Sequence, residues 1–106
     1  MGCERYRVVL TLDAEQDLDG VLSYLVYRKR NREAAISLLE DFQETIDSLT
    51  RSAGSLKLDD DPNLARREYR RIHLSRHRYF MLYRVDDDVA VVDRIFHDLQ
   101  DYRSRM

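Results

Sequence analysis

The spacing of the apolar residues changes once along the chain, and that change fixes the fold class. As far as about residue 52 they recur at steps of three and four. Leu18, Val21, Leu22 and Leu25 form one set, and Ala35, Leu39, Phe42, Ile46 and Leu49 form another, each laying an apolar stripe along a helix. Beyond residue 70 the step becomes two. Ile72 and Leu74 alternate with Arg71 and His73, and Tyr79, Met81, Tyr83 and Val85 alternate with Phe80, Leu82 and Arg84, which is strand patterning. A chain with helices first and hairpin-linked strands after them has to lay the helical stripes on one face of a sheet.

The boundaries follow from local chemistry. Arg5 to Leu12 (RYRVVLTL) is β-branched and apolar enough for an N-terminal strand. Asp13 is placed to cap the first helix, with Gln16 three residues on, and that helix extends to about Arg30. Asn31 is placed to cap the second, which stops near Ser52. Residues 53–63 read as the longest loop, since they hold Gly54, the acidic run Asp59 to Asp61 and Pro62. Ser75 to His77 and Asp86 to Asp88 read as the connections among three successive strands, the last being Val89 to Phe96, and the polar tail frays or forms a short helix.

The expected order is β-α-α-β-β-β. This is an α+β fold in which an N-terminal strand and a two-helix hairpin pack on a mainly antiparallel, four-stranded twisted sheet. At 106 residues the chain fits one domain, residues 1–106. Strand phase then sends Ile72, Leu74, Tyr79, Met81, Tyr83 and Val85 toward the helices. Arg71, His73, Phe80, Leu82 and Arg84 face the other side, which is expected to be open.

That open side is where positive charge gathers. The net charge is −2, yet the segment from Arg66 to Arg84 holds seven arginines against Glu68 alone, a balance of +6, so the rest of the chain carries −8. Such asymmetry lets part of a mildly acidic molecule hold a polyanion or an acidic peptide. Arg71, Arg84 and Arg94, with His73 and His97 at strand positions and Tyr102 beyond, form a set that could grip a phosphodiester and move a proton. Arg67, Arg70, Arg76 and Arg78 extend the basic surface, and Phe80, Tyr79 and Tyr102 offer rings on which bases could stack. The competing reading is a solvated sheet face whose arginines are salt-bridged to the many acids.

Other chemistries leave no mark. The histidines at 73, 77 and 97 lack a paired metal-ligand motif, Asp86 to Asp88 lacks calcium-loop spacing, and no cofactor loop is present. Neither a metal nor a cofactor is expected. Cys3 reads as incidental, Tyr24 and Tyr27 as cover for the edge of the helix pair with partner binding as the lesser alternative, and no run is long and apolar enough for a membrane span, which makes a cytoplasmic location the expectation.

YRVVLTLDAEQDL, then EYRRI, RYFMLYRV and RIFHDLQDY, in that order over nearly the whole chain, resemble the RelE/ParE superfamily of toxins from bacterial type II toxin-antitoxin systems. The resemblance implies a RelE/ParE-like fold and a growth inhibitor restrained by a cognate antitoxin protein that would use the helix pair and the sheet edge. RelE-like members cut mRNA on the ribosome without metal, whereas ParE-like members inhibit DNA gyrase. In position, Arg71 and His73 match the basic catalytic side chains of the RelE-like nucleases on the second strand. Two further matches fail, because Phe80 and Leu99 stand where such nucleases carry arginines. The resemblance therefore implies one of three functions: a ribosome-dependent mRNA endonuclease using Arg71, His73, Arg84, Arg94, His97 and Tyr102, a non-enzymatic gyrase inhibitor, or a domain that only binds its antitoxin. A homodimer is compatible with each.

Overall fold

The hydroxyl of Thr11 starts the first helix and ties it to the last strand. Its Oγ1 accepts the Ala14 N–H at 3.1 Å and donates to the Asp93 carbonyl at 2.9 Å. The expected cap was Asp13. Thr11 takes the role because the first strand ends one residue earlier, leaving Thr11 extended beside β4. The computed structural model describes residues 5–106, so Cys3 lies outside the described residues.

The strands are β1 (Arg7–Leu10), β2 (Arg70–His73), β3 (Tyr79–Asp86) and β4 (Val89–His97). The helices are α1 (Leu12–Ser23), α2 (Arg32–Ser52) and α3 (Pro62–Arg66). α1 runs on into a wide π-helical turn, Tyr24–Arg28. The sheet order is β1-β4-β3-β2, with β1 parallel to β4 and the other pairs antiparallel. Asn31 caps α2 as expected, its Oδ1 accepting the Ala34 N–H at 3.0 Å, and α2 ends at Ser52. Asp87, at φ 58°, supplies the left-handed residue of the two-residue β3–β4 turn, a conformation that aspartate tolerates.

The helix-side core matches the expected strand phase. Leu74, Met81 and Tyr83 are buried against Leu38, Phe42 and Leu49 of α2 and Ala14 of α1, with Ile72, Tyr79 and Val85 partly buried beside them. A bulge breaks the alternation of β4. Leu82 pairs with Arg94 and Tyr83 with Val92, so Asp93 has no partner across the ladder. Ala90, Val92 and Ile95 therefore face the helices while Phe96 faces away.

The opposite face is not open. Phe80, Leu82 and Phe96 are at most 2% exposed, under a second small core made with Leu64 of α3, Tyr69, Tyr102 and Met106. Burying each of these side chains stabilises the fold by about 1.5–3 kcal/mol. The cover is built from the segment expected to be loop. Asp61 caps α3 by accepting the Asn63 N–H at 2.9 Å, and Pro62 occupies the first turn, where its missing N–H costs nothing.

Candidate functional site

β2 places Arg71 and His73 on the covered face, beside a groove of about 450 Å³ lined by residues 57–62, Tyr102 and Arg103. The Arg71 guanidinium is 4.2 Å from the Phe80 ring centroid and 4.9 Å from that of Tyr102. It is also gripped at two points by Asp59, at 2.7 and 3.3 Å. The Asp59 side chain is 2% exposed. Arg71 is thus a cation enclosed by two rings and a buried carboxylate. Burial works against its charge, and the bonds to Asp59 and Tyr102 outweigh burial and hold it protonated.

Tyr102 closes the groove by donating to Asp61 at 2.8 Å, where Arg103 also reaches at 3.2 Å. The phenol bond is the main cause that holds the Asp61 carboxyl down at about 2. His73 is exposed at the rim, with Nδ1 3.7 Å from Asp98 and its ring 5.7 Å from Phe80.

The other basic side chains of the expected set are held elsewhere. Arg84 donates to Asp93 at 3.1 Å and, with Arg67, flanks the Tyr69 ring, whose hydroxyl donates to the same carboxylate at 2.6 Å. Arg94 is clamped by Asp17 of α1 at 2.8 and 3.1 Å. Asp17 also accepts the Ile95 N–H at 2.9 Å, beyond the point where β1 has run out. Arg70 donates to the Leu56 carbonyl, and Arg76 pairs with Glu44 at 2.7 Å. The Arg78 carbonyl accepts the Asp98 N–H, while its guanidinium makes no ion pair among the described residues.

Two placements correct the sequence reading. Phe80 lies in the second core and offers no surface for a base, because α3 and the tail lie over it. His97 is opposite Tyr79 while Phe80 is opposite Phe96. Consecutive pairs point to opposite faces, so His97 lies on the helix side, its ring edge-on to Tyr79 at 5.0 Å. Its Nδ1 accepts the Leu99 N–H at 3.1 Å, leaving the proton of the neutral ring on Nε2. The structure brings together Arg71, His73 and Tyr102, and separates them from Arg84, Arg94 and His97. Leu99, in one of the two expected arginine positions, is 83% exposed.

A polar cluster that sequence reasoning passed over lies behind the β2–β3 connection. Asp41 of α2, 0% exposed, accepts from the Ser75 N–H at 3.1 Å, the Arg76 N–H at 2.8 Å and His77 Nδ1 at 2.7 Å. His77 Nε2 in turn lies 3.4 Å from Ser37 Oγ. Burial opposes ionisation of Asp41, but the bonds from His77, Arg76 and Ser75 prevail and hold it below the usual carboxylate range. The only sequence signal was the four-residue spacing of Ser37 and Asp41 on one helix face.

Chemically, the covered face is a set of satisfied ion pairs. A phosphodiester that takes the Nε edge of Arg71 has to displace Asp59, which leaves a buried carboxylate without its cation. Among the described residues no three His, Cys, Asp or Glu side chains converge in a way that could hold a metal, and no helix is long and apolar enough to cross a membrane.

Residues 8–102 match the family described as the ParE toxin of the type II toxin-antitoxin system, parDE. Among solved structures, a chain of the chromosomal ParDE toxin-antitoxin system from P. aeruginosa superposes with a TM-score of 0.70 at 21% identity, covering 90% of this chain and 98% of that one. No curated protein sequence matches.

Proposed function

The chain belongs to the ParE toxin family of type II toxin-antitoxin systems, and from that premise we propose that it arrests growth by binding DNA gyrase rather than by cutting RNA. It is a toxin with an antitoxin for a partner. The observation that carries the proposal is the state of Arg71, whose guanidinium is held at two points by the buried Asp59 carboxylate. The remaining support is of the same kind. Arg84 and Arg94 are each bound to an acid, Phe80 and Leu99 stand in place of two nuclease arginines, and His97 faces away from His73. An arginine missing from a phosphoryl-transfer site costs on the order of 10²-fold in rate or more. A toxin that works by occupying a protein surface needs none of them.

The groove beside Arg71, His73 and Tyr102 supports the second reading, a ribosome-dependent mRNA endonuclease, provided the loop carrying Asp59 and Asp61 opens. Expression without antitoxin separates the two readings. Gyrase inhibition predicts growth arrest, a DNA-damage response, intact messages, and loss of supercoiling by purified gyrase as toxin is added. Cleaved messages with supercoiling unaffected at saturating toxin refute it. Growth without arrest leaves a domain that only binds its antitoxin.

A further inference from the structure

The arginines of the sheet face are largely neutralised from within: Arg71 by Asp59, Arg76 by Glu44, Arg84 by Asp93 and Arg94 by Asp17. The opposite situation holds at the tip of the helix hairpin. Arg28, Lys29, Arg30 and Arg32 are all exposed, and their side chains form no hydrogen bond or ion pair with any described residue. The contact made by this group is that of the Lys29 ammonium, 5.8 Å from the Tyr24 ring centroid. The side chain of the adjacent acid, Glu33, also forms no hydrogen bond or ion pair with any described residue and leaves the tip strongly positive.

The backbone holds these cations at one end of the molecule. The Lys29 N–H reaches back five residues to the Tyr24 carbonyl, and the Asn31 N–H closes on the Leu25 carbonyl at 2.9 Å. Between them Arg30 adopts φ 51°, a left-handed conformation that an arginine seldom takes. The chain therefore reverses in very few residues, which brings cations from both sides of the turn to one end of the helix pair. Tyr24 and Tyr27, at the edge of the helix pair, are 49% and 76% exposed, which favours the partner-binding alternative over simple cover.

We infer that this tip docks on the phosphate backbone of a nucleic acid. Four unpaired cations that repel one another are kept together here, whereas carboxylates meet Arg71, Arg76, Arg84, Arg94 and Arg103 elsewhere. A polyanion is the ligand that relieves that repulsion, and its binding is driven by the release of condensed counterions. The two exposed tyrosines favour nucleic acid over an acidic peptide, since their rings can pack on sugars or bases beside the phosphates. The site is independent of the gyrase reading.

Anisotropy titration of the full chain against labelled duplex DNA and single-stranded RNA tests the inference. Four phosphate contacts predict a log–log salt slope of about −3.6 on duplex DNA, so that raising salt from about 50 to 200 mM weakens binding on the order of 10²-fold. Each of R28Q, K29Q, R30Q and R32Q should reduce that slope by about one, and Arg51→Gln should leave it unchanged. Since these side chains make no ion pair or hydrogen bond within the fold, melting temperatures should hold, and the four single variants keep the test valid if a quadruple variant does not fold. Binding of either nucleic acid with this signature supports the site, and the preference between them identifies whose phosphates it takes. No binding at about 50 mM salt, or binding that the four substitutions leave intact, overturns it. Binding of polyaspartate or phosphatidylserine vesicles that nucleic acid cannot displace also overturns it.

Discussion

Replacing Asp41 with alanine removes one carboxylate and three bonds that pin the β2–β3 connection to α2. Hydrogen bonds to a charged group are worth about 1.5–3 kcal/mol each. The donors lost here are not all stranded. Ser75 and Arg76 are exposed residues and the His77 side chain is 25% exposed, so water recovers part of the loss. The expected net cost is about 3 kcal/mol. At about 4–8 °C per kcal/mol for a domain of this size, the melting temperature should fall on the order of 15 °C at neutral pH, as read by circular dichroism. A double-mutant cycle with His77→Ala should return a coupling of about 1 kcal/mol or more. The pH dependence has a definite sign. Asp41 titrates lower in the folded state than in the unfolded one, so its contribution is complete above the unfolded value and is lost as pH falls through the folded one. The difference between wild type and D41A should therefore narrow in acid. A drop of less than about 4 °C, or a difference that stays constant down to about pH 2, refutes the reasoning.

Phe80→Ala should cost about 3–5 kcal/mol in urea denaturation, because its ring is 2% exposed between Phe96, Tyr102 and Arg71; a change below 1 kcal/mol would return Phe80 to the surface. Arg71→Gln should destabilise by about 3 kcal/mol by leaving Asp59 buried without its cation, and R71Q/D59N should recover part of that in the same assay. Tyr102→Phe should raise the Asp61 carboxyl from about 2 toward its ordinary value, as followed by NMR titration, because the phenol bond is the main cause of the depression. The stability that Asp61 contributes is present above the unfolded value and lost as pH falls through about 2, so Y102F should flatten the acid limb of the stability curve.

The layers and the helix-facing residues were legible because each rests on periodicity, which one sequence displays directly. α2 and its Asn31 cap, and the inward set Leu74, Met81 and Tyr83, are cases of that kind. The second core was not legible. α3 has five residues, too few to show a period, and its sequence signal, Asp61 followed by Pro62, also reads as a turn. The bulge at Asp93 was hidden for a related reason, since strict alternation assumes an unbroken ladder. The ion pairs were foreseen only as a class, in the reading of a salt-bridged sheet face, and the partner of each arginine was beyond reach. Asp17 and Arg94 are 77 residues apart, and nothing local connects them. The arginine cluster was therefore visible, while the carboxylates that neutralise it were not.

Pairing of β1 with β4 also bears on when the toxin comes into being. β1 takes as its partner a strand made much later, and the bond from Thr11 to the Asp93 carbonyl spans 82 residues. Closing a loop of that length costs about 4 kcal/mol of chain entropy, repaid only when β4 is present to be paired. β4 is also an inner strand, bonded on its far side to β3. A chain interrupted before residue 89 thus lacks the strand that joins both halves of the sheet, and a broken message yields a fragment without a closed fold. Closure of the toxin's sheet is in this way made all or none, with the decision deferred until β4 has been synthesised.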